Sequence, residues 1–169
     1  MISVRSERPE DATAVRVVNE SAFDSPAEAD LVDELRRRGK AVVSLVAADD
    51  EKIVGHILFS LVSIESQTGS FTAIGLAPMA VAPDRQKRGI GSLLVEKGLE
   101  ECRKKGFECA VVLGHPDYYP RFGFVPASRY AISCEYDAPD EAFMAMELRE
   151  GALANRSGVA KYQPEFNAV

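Results

Sequence analysis

Met79-Ala80-Val81-Ala82-Pro83-Asp84-Arg85-Gln86-Lys87-Arg88-Gly89-Ile90-Gly91-Ser92 runs from an apolar stretch through a polar turn and a glycine pair into a helical pattern. Such a stretch is suited to holding an anion. A helix start leaves backbone N–H groups without intrahelical partners and carries partial positive charge, and glycines let the main chain approach a phosphate closely. Arg85, Lys87 and Arg88 add positive charge beside the bend. Two commoner phosphate-binding motifs do not fit. The G-x-x-x-x-G-K-[ST] loop is absent, and a dinucleotide fingerprint needs glycine or alanine at position 94, which is Leu94.

Downstream, Ile90 to Lys105 reads as a helix with Ile90, Leu93, Leu94 and Cys102 on one buried stripe, closed by Gly106. Glu108 to Leu113 is short and continuously apolar, as a central strand covered on both faces would be. Upstream, Phe71 to Val81 reads as a strand that Pro78 interrupts, because proline cannot donate to a ladder. Val42 to Ala48 and Ile53 to Ile64 form a hairpin around Asp49-Asp50-Glu51-Lys52. Before it come a short strand at Ile2 to Arg5, a helix over Ala12 to Ala22, and a second helix capped at Ser25-Pro26-Ala27-Glu28 and ended by Gly39. Leu31, Val32 and Leu35 form the inner face of that second helix. Strands at Phe124 to Pro126, Tyr130 to Cys134 and Phe143 to Leu148 complete an α+β plan, and the tail from Gly151 to Val169 shows no periodicity. One domain over residues 1–150 followed by a C-terminal tail, 151–169, is the expected organisation.

Composition is that of an ordinary globular protein: 46% hydrophobic and 27% charged over 169 residues. No apolar run approaches the roughly 20 residues that cross a bilayer, and Met1 to Ser6 lacks the pattern of an export signal, so a cytoplasmic protein without a membrane partner is expected. A net charge of −6 opposes nucleic-acid binding and favours cationic partners such as amines. Cys102, Cys109 and Cys134 are odd in number and lack C-x-x-C spacing, which points to free thiols and to no metal site.

Gln86-Lys87-Arg88-Gly89-Ile90-Gly91 matches [QR]-x-x-G-x-[GA], and with it the chain resembles the GNAT acetyltransferase superfamily. Leu76 to Pro83 looks like that family's splayed fourth strand. Leu113-Gly114-His115-Pro116-Asp117-Tyr118-Tyr119-Pro120-Arg121-Phe122-Gly123-Phe124 looks like the end of its fifth strand, its fourth helix and its Gly-Phe ending. The likeness covers roughly Ile2 to Leu148 and implies a GNAT fold: a mixed, mostly antiparallel sheet flanked by helices, with acetyl-CoA wedged where the fourth and fifth strands diverge. It further implies that Met79, Ala80 and Val81 contact pantetheine through their main chain and that Lys87, Arg88, Gly89, Ile90, Gly91 and Ser92 surround the pyrophosphate. Val81 N–H would polarise the thioester carbonyl, and Tyr119, four residues before Gly123, would protonate the departing thiolate. The acceptor would be a primary amine on a small molecule or peptide, and pairing as a homodimer is common in the family.

Acetyl transfer of this kind needs a neutral amine, a donor for the carbonyl oxyanion and a proton for sulfur, but no metal and no covalent enzyme intermediate. Each nominated residue also has a purely structural reading. Gly89 and Gly91 could be a loop before a helix, the basic trio a solvated face, and Tyr119 a core tyrosine with Tyr118 as its rival. His115 and His56 are candidate proton relays, although a structural histidine is the commoner reading of each, of His56 above all. Glu20, Asp24 and Glu65 are bases only by family geography, and Asp137, Asp140 and Glu141 form an acidic loop facing either a cationic substrate or water. Without an evident base, a non-catalytic acyl-CoA-binding or sensing module remains the alternative to an enzyme.

Overall fold

The computed structural model describes all 169 residues. The protein is α+β, with three helices and a mixed, mostly antiparallel set of strands. It divides into two units. Met1–Ser60, Ala77–Glu101 and Pro164–Val169 form the first, and Leu61–Leu76 with Cys102–Gln163 form the second.

In the first unit β1 (Ile2–Ser6) pairs antiparallel with β2 (Val43–Asp49), which pairs antiparallel with the opening half of β3 (Lys52–Ser66). The β2–β3 turn is tighter than the sequence suggests, because Asp49 and Lys52 already pair and only Asp50-Glu51 turn. Asp50 adopts φ 55°, a left-handed conformation that aspartate tolerates better than most residues. Helices α1 (Ala12–Phe23) and α2 (Ala27–Arg37) cover the sheet with a core of Val15, Leu31, Val32 and Leu35 against Val46 and Leu58. Each such side chain contributes about 1.5–3 kcal/mol by leaving water. Leu31, Val32 and Leu35 thus form the inner face that their spacing predicts. Ser25 Oγ accepts the Ala27 N–H at 3.2 Å, but Glu28 does not complete a capping box, since one of its carboxylate oxygens is buried without a partner. At the other end, Gly39 takes φ 72° and Lys40 N–H reaches back to the Leu35 carbonyl, which stops the helix.

In the second unit β5 (Cys109–Leu113) lies between the opening part of β4 (Gly69–Val81), with which it is parallel, and β8 (Phe143–Glu147), with which it is antiparallel. Cys109 to Val112 are buried, as the continuous apolar run predicts. β6 (Val125–Pro126) pairs with β8, and β7 (Ile132–Cys134) pairs in parallel with β9 (Gly158–Lys161), which also pairs with β3 at Ser63–Glu65. The parallel β4–β5 pair demands a long connection, and α3 (Ile90–Lys104) supplies it.

Four expectations are corrected. β4 runs unbroken through Pro78. The buried stripe of α3 is Ile90, Leu94, Val95, Leu99 and Cys102, with Leu93 only half-buried. The expected fourth helix is a single 3-10 turn, Tyr119–Phe122, which Gly123 ends after four residues by taking φ 109°. The segment after Gly151 is ordered, with β9 and a 3-10 turn at Pro164–Ala168. It buries Ala152, Leu153, Ala160 and Tyr162, and Phe166 packs on the core of the first unit.

Candidate functional site

The bend after β4 has the features of an anion cradle. Gln86, Lys87, Arg88 and Gly89 are exposed, and Ile90 is buried as the first anchor of α3. Lys87 takes φ 63° and Gly89 φ 83°, so two left-handed residues flank Arg88 and curl the main chain into a concave run of amides. The first rung of the helix joins Leu93 N–H to the Gly89 carbonyl at 3.0 Å; Gly89, Ile90 and Gly91 therefore precede the ladder. A Cβ added to Gly89 would meet nothing within 4 Å, so the hollow is open and glycine is required there by conformation. These residues suit a pyrophosphate.

Packing fixes where this helix start sits. Ile90 and Leu94 rest on Gly55 of β3, where a Cβ would lie 3.0 Å from Leu94 Cδ1 and 3.3 Å from Ile90 Cγ2. One turn further along, Gly98 faces the Phe59 ring, and a Cβ there would come within 2.3 Å of Cε1. Glycines at 55 and 98 therefore let α3 lie close on β3.

Gln86 has a role that the motif alone did not assign. Its Nε2 donates to the Val81 carbonyl at 3.0 Å, tying the cradle to the end of β4. On the other side of the strand, Ala82 N–H donates to Val54 of β3 at 2.8 Å. Successive residues of a strand present their amides to opposite sides, so Val81 N–H points away from β3, as a donor to a ligand must. Met79 and Ala80 lie in the same end of β4, half-buried and buried respectively. Arg85, by contrast, is committed elsewhere: it pairs with Asp49, which also takes the N-terminal ammonium at 3.2 Å. Lys87 and Arg88 are the exposed cations at the bend.

Tyr119 is in the second unit, 8% exposed, and Tyr118 is half-buried beside it with the Arg121 guanidinium 4.4 Å from its ring centroid. Burial, then the neighbouring Tyr118, pushes the Tyr119 hydroxyl up to about 12. It keeps its proton throughout the physiological range, which suits an acid and excludes a base. His115 is exposed, and its carbonyl accepts the Tyr118 N–H at 3.1 Å and the Tyr119 N–H at 3.4 Å. Asp137 and Asp140 edge a cavity of about 430 Å³ with Glu135 and Tyr136, where Asp140 accepts the Ser128 hydroxyl; Glu141 is not part of it.

His56 is fully buried and structural. Its Nε2 lies 2.9 Å from Ser44 Oγ, which donates to Glu7 Oε1 at 2.5 Å, and Asn19 Nδ2 faces its Nδ1 at 3.4 Å. A hydroxyl and a carboxylate on the same side of the ring do not make a nucleophilic relay, which needs them on opposite nitrogens. Desolvation lowers the His56 pKa, so it is neutral at pH 7, accepting from Asn19 and donating to Ser44. Of the proposed bases, Glu20 pairs with Arg16 at 3.3 Å, Asp24 forms the left-handed end of α1, and Glu65 is exposed on β3 opposite Val159.

Fold and cradle together define an N-acyltransferase. More particularly, the chain belongs to the GNAT acetyltransferase family, since the family model described as Acetyltransferase (GNAT) domain matches residues 3–127. The Escherichia coli N-acetyltransferase YhbS is 34% identical over 97% of this chain and 98% of its own length. The crystal structure of YhbS in complex with CoA superposes with a TM-score of 0.92, at 33% identity over 98% of this chain and 92% of that one. A Brucella melitensis GNAT acetyltransferase in complex with acetyl-CoA gives a TM-score of 0.80 at 33% identity, covering 98% of both chains. No helix is long and apolar enough to cross a membrane.

Proposed function

We propose that this protein transfers the acetyl group of acetyl-CoA directly to a primary amine of a small molecule or peptide. The open bend at Lys87–Ser92 carries the reading: two left-handed residues, exposure of Lys87, Arg88 and Gly89, and unobstructed space at Gly89, on a helix anchored by Ile90. Relatives solved with CoA and acetyl-CoA at 33% identity support the choice of cofactor. In this proposal Lys87, Arg88, Gly89, Ile90, Gly91 and Ser92 hold the pyrophosphate, and Met79, Ala80 and Val81 bind pantetheine through their main chain. Val81 N–H, held in direction by the Gln86 tie on the same residue's carbonyl, stabilises the oxyanion. Acetyl-CoA supplies an activated acyl group whose thiolate leaves as the amine attacks. Tyr119, whose hydroxyl burial makes a still weaker acid than an ordinary tyrosine and which therefore carries its proton, gives that proton to the thiolate. The acceptor amine must arrive unprotonated or lose its proton on the enzyme. A cytoplasmic location and pairing into a homodimer are part of the proposal, the former supported by three free cysteines.

The test combines calorimetry with a thiol-release assay over polyamines, aminoglycosides, amino acids and peptide N-termini. Acetyl-CoA is expected to bind in the micromolar range and to be consumed with at least one amine class. Gly89→Glu, which sets a carboxylate and a strained φ into the cradle, is expected to abolish binding. Normal affinity in that variant would overturn the cradle assignment, and affinity without turnover on any amine would make the protein a binding module.

A further inference from the structure

Gly114, the residue that follows β5, has no conformational need to be glycine, since its φ lies outside the left-handed region. What it lacks is room for a side chain. A Cβ built there would lie 2.4 Å from Tyr119 Cε2, 3.0 Å from Cδ2 and 3.5 Å from Cζ, and these three atoms of one ring are its nearest neighbours. The ring has little freedom to retreat. Phe124 meets it edge-on with centroids 5.9 Å apart, Tyr118 does so at 5.1 Å, and Phe122 lies at 6.3 Å. Phe124 is itself 1% exposed. The backbone at 114 is equally fixed, because Gly114 N–H donates to the Ala142 carbonyl at 2.9 Å and the next carbonyl, of His115, holds the amides of Tyr118 and Tyr119.

We propose that Gly114 is a positioning residue for Tyr119: its missing side chain forms the floor on which the tyrosine ring rests, and so fixes where the hydroxyl points. The inference rests on the reading of Tyr119 as the acid in acetyl transfer. Ordinary carbon contacts begin near 3.4 Å, so an alanine at 114 displaces the ring by about 1 Å, a shift that costs a reacting group on the order of 100-fold in rate.

The experiment is a double-mutant cycle on the full chain, with Gly114→Ala, Tyr119→Phe and their combination assayed for kcat and for KM toward acetyl-CoA. Gly114→Ala is expected to lower kcat about 10- to 100-fold with KM changed less than about 3-fold, and to add almost nothing in the Tyr119→Phe background, because the hydroxyl it misplaces is already gone. Full kcat in Gly114→Ala beside a slow Tyr119→Phe overturns the positioning role alone. Full kcat in Tyr119→Phe removes the tyrosine from the chemistry and the role of Gly114 with it. Independent, multiplying losses in the two variants would show that position 114 acts on something other than the hydroxyl, which also overturns it. Should Gly114→Ala not fold, Gly114→Ala with Phe124→Leu gives the ring space to move. Its kcat is expected to fall at least about 10-fold below that of Phe124→Leu alone, and equal turnover of the two rejects the proposal.

Discussion

Replacing Glu7 by Gln should lower stability at neutral pH and leave it unchanged in acid. Burial alone would push the Glu7 carboxyl up, but contacts from His56 and Ser44 and the charge of Arg36 outweigh it and hold the group at about 2, against an ordinary 4.5. With a folded value below the unfolded one, the stabilisation is fully present above pH 4.5 and disappears as pH falls towards 2. Its size follows from the difference: (4.5 − 2) × about 1.36 gives roughly 3 kcal/mol. Arg36 is 29% exposed and also pairs with Asp33, and His56, neutral at pH 7, adds no full charge there, so the contribution falls to about 2 kcal/mol at most. His56 adds an earlier loss in the same direction. Desolvation depresses its pKa below 6.5, so its contribution is intact above pH 6.5 and declines as pH falls through the folded value. Urea unfolding at pH 7, 5 and 3, followed by circular dichroism, reads both effects, provided the m-value is the same for the two proteins. The two stability curves should lie about 2 kcal/mol apart at pH 7 and 5 and narrow to about 1 kcal/mol at pH 3, on the way to meeting near pH 2. Curves that stay parallel across the whole range would refute the electrostatic argument and assign the loss to packing.

Two further outcomes bear on the cradle. Arg85→Ala should leave acetyl-CoA affinity within about 3-fold of the parent because the guanidinium is held by Asp49, whereas Lys87→Ala with Arg88→Ala should weaken it at least about 10-fold at low salt; calorimetry decides, and a strong Arg85 effect would return that residue to the phosphate site. Gly98→Ala drives a methyl to within 2.3 Å of the Phe59 ring and should cost about 1–3 kcal/mol, with partial recovery in the Phe59→Leu background; a thermal melt of the single variant matching the parent would contradict the close approach of α3 to β3.

What could be read beforehand follows the distance over which each feature is determined. The bend at 86–91 was legible because its glycine, its charges and the helix start are all local, and α2 because Ser25, Pro26, Gly39 and an apolar stripe all agree. β9 was not, since four residues are too few for a period and one of its two partners, Ser63–Glu65, lies almost a hundred positions away. Glu28 looks like half of a capping box, yet no such cap forms and one of its carboxylate oxygens is buried without a partner, because tertiary context overrides a weak local preference. From the sequence Arg85 is only added positive charge beside the bend, and the structure gives that charge to Asp49 in the first unit. The Gln86 contact is local enough to be legible: its acceptor, the Val81 carbonyl, is five residues away, and a long amide beside a strand end must donate somewhere.

The glycines around the two candidate sites do different work, and this separates what holds a ligand from what holds the holder. Gly89 has a left-handed φ and empty space beyond its Cα, so a substitution there acts on the backbone that would face the cofactor. Gly55, Gly98 and Gly114 have ordinary φ values and crowded surroundings, so substitutions there act through a neighbour: Leu94 and Ile90, Phe59, or Tyr119. The first kind of change should weaken binding with little effect on the rest of the fold. The second should move an element that is itself intact, α3 in one unit and the tyrosine ring in the other. A cradle whose amides are aimed by packing before any ligand arrives loses little entropy on binding, and the close approaches at Gly55 and Gly98 supply that packing. If the bend holds the cofactor as proposed, the contacts of α3 at Gly55 and Gly98 support that affinity by fixing where the helix begins.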